Sequence, residues 1–112
     1  MLEEYLEKNL WFAVPFNVVE SAEFLQLTPA DRVMYYTLCG LANHYGDKKT
    51  GWFFHSMNSI ARASNLDKKT IVRAKKKLKT LNFIEVKRGK YHDNTKKRSA
   101  DCYKINGLRM MD

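Results

Sequence analysis

The segment Ser56–Leu81, SMNSIARASNLDKKTIVRAKKKLKTL, constrains the folding of this chain more than any other part of it. Two short amphipathic stretches stand close together, each opened by a side chain suited to capping. Ser56 can cap a helix running to about Ser64, with Met57, Ile60 and Ala61 inward. Asp67 can cap a second, from Lys68 to about Leu81 or Asn82. A connection this short makes the helices cross closely, so the first needs a small residue at the contact. Ile60-Ala61 supplies it. Four residues after Ala61 the turn needs a residue tolerant of left-handed backbone, which Asn65 is. Leu66 follows as an apolar plug. The second helix must bury a stripe against the first, and Ile71, Ala74, Leu78 and Leu81 form one.

Eight positions thus agree in type and spacing with a helix-turn-helix. At about 100° per residue, Lys69, Val72, Arg73, Lys76 and Thr80 fall opposite the buried stripe, flanked by Lys68, Lys75, Lys77 and Lys79. An α-helix fits the major groove of duplex DNA, where Arg or Lys reads guanine edges while neighbouring lysines meet phosphates. Position along the helix assigns base contacts to Lys69, Thr70, Val72 and Arg73, then Lys76. It assigns backbone contacts to Lys75, Lys77 and Lys79, and Lys68 and Thr80 complete the set.

Charge concentrates in the same region. The chain carries a formal +8, but residues 1–67 hold five basic and eight acidic side chains, whereas 68–104 hold fourteen basic and three acidic. A merely solvated helix usually mixes signs at i,i+4, and residues 68–79 contain no acid at all. The second half therefore reads as an electrostatic footprint for a polyanion. Eleven of the fourteen aromatics lie within the first 54 residues, which read as scaffold.

The remaining elements surround this motif. Residues 1–11 are expected to form a short helix or an arm, and Trp11–Pro15 an extended piece, because the residue before a proline avoids helical backbone. Phe16–Leu27 has room for a short helix, but its pattern is poor and leaves the segment open. Thr28-Pro29-Ala30-Asp31 offers an N-cap hydroxyl, a first-turn proline and a capping-box acid. Met34, Leu38, Leu41, Ala42 and Tyr45, with Val33 beside them, then recur at helical spacing until Gly46. Trp52-Phe53-Phe54 reads as one small strand packed into the core. Phe83–Lys87 and Asp101–Ile105 alternate as strands, joined by a polar, basic loop over 88–100, which makes a hairpin. Its Arg88, Lys90, Lys96, Lys97 and Arg98 are placed to reach adjacent DNA backbone or the minor groove. Tyr91 and His92 are taken as solvated loop residues.

With these elements in order, Phe12–Ile105 resembles the winged helix-turn-helix domains of phage and plasmid replication initiators and related mobile-element regulators. The lead-in of that family corresponds to Val14-Pro15, Val18 and Ser21, and its long helix to Leu27-Thr28, Arg32, Tyr35 or Tyr36, Leu38, Ala42 and Gly46. Its motif corresponds to Ser56, Ile60-Ala61, Asn65, Lys69-Thr70-Ile71, Arg73-Ala74, Leu78 and Ile84, and its closing strand to Tyr103-Lys104-Ile105. Where the family commonly has Gly before the wing, this chain has Asn82-Phe83. The resemblance implies a mainly α fold with a small β-hairpin, a domain over 12–105 and a tail over 106–112. It also implies double-stranded DNA as partner, with a homodimer or replication and transfer proteins as further ones. Initiators of this type usually carry a second domain, for which 112 residues leave no room. The chain is thus a stand-alone binder or one domain of something longer.

Catalysis has no constellation. His44, His55 and His92 stand apart from each other and from any Cys at ligand spacing, and the glycines form no phosphate-cradling loop. No metal, cofactor or membrane contact is expected. Cys39 and Cys102 read as reduced, buried thiols of a cytoplasmic protein. The expected function is sequence-specific binding of double-stranded DNA, as an initiator-like protein or transcriptional regulator. The alternatives are a winged helix docking an acidic protein partner and a non-specific architectural DNA binder.

Overall fold

A computed structural model describes residues 14, 16–89, 91–92, 97–98 and 100–106. The expected N-terminal arm, the tail beyond Asn106, and Lys90 and Lys96 lie outside the described residues.

Two single-turn helices, α1 (Phe16–Val19) and α2 (Ala22–Leu25), precede the long α3 (Pro29–Tyr45). The capping box of α3 forms as expected. Thr28 Oγ1 accepts from the Asp31 N–H at 3.2 Å, and Asp31 Oδ2 accepts from the Thr28 N–H at 3.0 Å. β1 (Phe53–His55) follows, then α4 (Met57–Ser64) and α5 (Lys68–Thr80). β2 (Ile84–Lys87), β3 (Tyr91–His92), β4 (Lys97–Arg98) and β5 (Asp101–Ile105) complete the order. β5 is the central strand of an antiparallel sheet ordered β1-β5-β2, and β3 pairs with β4. The fold is a winged helix-turn-helix, mainly helical with a small antiparallel sheet.

The core lies where α3, α4 and α5 meet the inner face of that sheet. Met34, Tyr35, Leu38, Cys39 and Ala42 of α3 pack with Ile60 of α4 and with Ile71, Ala74 and Leu78 of α5. Phe53, Ile84, Tyr103 and Ile105 close it from the sheet side. Phe24, delivered by α2, covers one end, edge-on to Tyr35 at 6.0 Å and to Phe83 at 6.1 Å. Deep burial pushes the Cys39 thiol up to about 12, so it is a neutral packing residue. Cys39 and Cys102 are both free and buried, as expected.

Helix ends are fixed by local chemistry. Asn65 ends α4 with left-handed backbone (φ 60°), as the turn requires. Ser64, a buried side chain, donates to the Ile60 carbonyl at 2.7 Å and accepts from the Leu66 N–H at 3.2 Å, pinning the turn from inside. At the far end of α5, Phe83 N–H reaches the Leu78 carbonyl at 2.9 Å and Asn82 N–H the Lys79 carbonyl at 3.1 Å. That pair of bonds is a Schellman closure, and Asn82 supplies its left-handed residue (φ 65°). Asn therefore does the conformational work that Gly does elsewhere in the resembled family, because its short side chain tolerates this backbone.

Four expectations are corrected. Val33 is exposed because it lies on the side of α3 opposite the buried stripe, whose inward members include Tyr35 and Cys39. Tyr45 shares the inward arc but stands at the last turn, past the core, 57% exposed against His55. Phe54 is 69% exposed, since a strand that buries Phe53 must turn its neighbour to the other face. The loop over 88–100 contains the pair β3–β4, with Tyr91 opposite Arg98 and His92 opposite Lys97, so the wing carries strand pairing past β2.

Candidate nucleic-acid interface

α4 and α5 are joined by three residues, and the buried stripe of α5 fixes which side is left to solvent. Lys68, Lys69, Val72, Arg73, Lys76, Lys77, Lys79 and Thr80 are all exposed, as expected from the helical period. Thr70 is half-buried beside the helix start, where its N–H is held by Asp67 Oδ1 at 2.8 Å. Hydrogen bonds from the Thr70 hydroxyl and N–H, helped by the charge of Arg73, hold the Asp67 carboxyl below its usual range.

Arg73, Lys76, Lys77, Thr70 and Thr80 line a cleft of about 400 Å³ against the first turn of α3, formed by Thr28, Ala30 and Asp31. One wall of the cleft is thus the cationic face itself. The Thr28 hydroxyl and the Asp31 carboxylate are engaged in the capping box, and Asp31 sets one acidic side chain against the basic Arg73, Lys76 and Lys77 of the cleft.

Lys75 departs from expectation. Instead of facing a phosphate, its Nζ meets Asp101 Oδ2 at 2.5 Å and lies 5.1 Å from the centre of the Tyr103 ring. Burial opposes the charged form, but Asp101 and Tyr103 outweigh it and raise the Lys75 pKa above its ordinary value. The reason is angular: Lys75 sits at the boundary of the buried arc, within reach of β5. Asp101 Oδ1 also accepts from the Gly89 N–H at 2.8 Å. One carboxylate thereby ties α5 to the root of the wing, a positioning role visible only in the fold. Lys75→Ala is expected to cost about 1–3 kcal/mol, because a half-buried carboxylate loses a charged partner. Lys76→Ala should leave the melting temperature unchanged, and thermal melts of the two variants check this.

On the wing, Arg88 is exposed just past β2. The strand β4 carries Lys97 and Arg98, hydrogen-bonded to β3 through the backbone. Lys87 is exposed and extends over the Trp52 ring at 4.1 Å, bridging the outer face of the sheet above Cys102. The sequence places Trp52 in a core strand and assigns Lys87 no role of its own, since their pairing depends on strand register.

Among the described residues, no group of three or more His, Cys, Asp or Glu side chains is placed to hold a metal ion. No helix there is long and apolar enough to cross a membrane.

A family profile described as a helix-turn-helix domain matches residues 25–84, just over half of the chain. Among solved structures, one described as a Rep–DNA complex aligns with a TM-score of 0.67 at 17% identity, covering 100% of this chain and 83% of that one. Another, described as the N-terminal domain of a DNA-binding protein, aligns with a TM-score of 0.65 at 17% identity, covering 100% and 82%. At that identity these likenesses concern the fold. No curated protein matches the sequence.

Proposed function

The chain belongs to the helix-turn-helix domain family, and from that premise we propose that it binds double-stranded DNA sequence-specifically, without catalysing a reaction on it. The exposed face of α5 carries the proposal. Lys68, Lys69, Arg73, Lys76, Lys77 and Lys79 project from the second helix of a tight helix pair, with no acid among them. In this reading α5 enters the major groove. Lys69, Thr70, Val72, Arg73 and Lys76 face base edges, while Lys68, Lys77, Lys79 and Thr80 meet phosphates. The wing, from Arg88 through Lys90, Lys96, Lys97 and Arg98, lies on adjacent backbone or in the minor groove. Its root is fixed to α5 through Asp101.

The biological setting in this proposal is a mobile element, with the protein acting as a replication-initiator-like factor or a transcriptional regulator. The resemblance of Phe12–Ile105 supports it, as does the fold shared with a Rep–DNA complex.

Selection from a random duplex pool, followed by affinity measurements on the selected site and on scrambled DNA, tests the proposal. Arg73 sits mid-face and can pair bidentately with guanine O6 and N7. Arg73→Ala is expected to lower affinity for the selected site by about 1–3 kcal/mol and barely change binding to scrambled DNA. Equal losses on both would make α5 a phosphate clamp only. A pool that yields no preferred sequence would leave an architectural binder. Failure to bind any duplex would favour an acidic protein partner for the same face.

A further inference from the structure

We infer that Val72 reads the C5-methyl group of a thymine in the DNA major groove, an assignment that rests on the groove-binding reading of α5. Val72 is 55% exposed on the outward face of α5, on the side toward Lys68 and Lys79. Its neighbours there, Lys68 and Lys69 one turn before and Lys76 one turn after, are all exposed cations.

Folding does not account for a valine at this position. Its side chain contributes little to the core, and a β-branched residue is a slightly poorer helix former than the lysines and arginine around it. Exposed apolar side chains elsewhere, such as Leu25, Val33 and Tyr36, lie on α2 and on the far side of α3, so Val72 is not part of a continuous apolar surface. It stands alone inside a cationic face.

Its chemistry also limits what it can touch. Val72 offers no donor or charge to a phosphate, so it adds nothing to backbone binding. When Lys69 and Lys76, one turn to either side of it along α5, engage the duplex, Val72 is held against the base edges between their contacts. The apolar group that a base pair presents in the major groove is the thymine methyl. Burying that methyl against the valine removes apolar surface of both from water, and no other standard base rewards the contact in the same way.

Replacing thymine by deoxyuridine removes this methyl while keeping the base pair and its O4 acceptor, which isolates the contact. Each thymine of the selected site is replaced in turn, and duplexes are titrated against the wild-type chain and Val72→Ala. One replacement is expected to weaken wild-type binding about three- to fivefold, the effect of one buried methyl group. Val72→Ala should bind the thymine and deoxyuridine versions equally and melt like the wild type. If the deoxyuridine penalty persists in Val72→Ala, or no thymine methyl matters, the assignment is overturned while sequence-specific binding stands. If selection yields no preferred sequence, the assignment falls together with the specificity on which it rests.

Discussion

Affinity for duplex DNA is expected to fall by about 10²- to 10³-fold as monovalent salt rises from about 50 to about 200 mM. The exposed cations of α5 set this scale. If about four to six of the basic residues on α5 and the wing neutralise phosphates, each releases close to one condensed counterion, and the log–log slope is about −4 to −5. Lys75 adds nothing to the slope, because its ammonium is committed to Asp101. Lys76→Ala or Lys77→Ala should reduce the slope by up to about one unit each, whereas Lys75→Ala should leave it unchanged. Fluorescence anisotropy on a labelled duplex across a salt series provides the measurement. A flat response would remove the electrostatic basis of the account.

The second large effect is on stability. Leu78→Ala is expected to cost about 2–5 kcal/mol, because Leu78 is fully buried and its truncation leaves a cavity where α5 meets α3 and the sheet. Leu78 also accepts the Phe83 N–H in the closure of α5, so loosening there disturbs the entry into β2. Domains of this size are stable by only about 5–15 kcal/mol, so the loss lowers the midpoint by about 10–30 °C. Lys79→Ala, one residue on but exposed, should stay within about 0.5 kcal/mol of wild type. Similar melts for both variants would mean that the buried stripe of α5 is wrongly placed.

What could be read from the sequence, and what could not, divides by sequence separation. The caps Thr28, Ser56 and Asp67, the left-handed Asn65 and the stripe Ile71, Ala74, Leu78 depend on neighbours within a few residues, and each is where its local chemistry puts it. The outward arc of α5 follows from the same period, which is why Lys69, Val72, Arg73 and Lys76 are exposed together. Pairings across long stretches of chain leave no such signal. That β1 joins the far edge of β5, opposite Tyr103 and Cys102, is invisible in the alternation of either strand. Lys75 looked like its lysine neighbours because Asp101 lies 26 residues away and only the fold brings them together. Tyr45 shows the complementary limit: period alone says which way a side chain points, and not whether the core extends that far.

In the proposed function the exposed face of α5, with the wing beside it, is the surface that meets DNA. A residue-resolved titration of the isotope-labelled chain with its selected duplex, read by backbone amide shifts, tests it most directly. Perturbations are expected at Lys68, Lys69, Val72, Arg73, Lys76 and Thr80 and along the wing from Arg88, with the exposed outer side of α3 around Val33 and Tyr36 unmoved. Perturbations concentrated on α3, with α5 silent, would contradict the account.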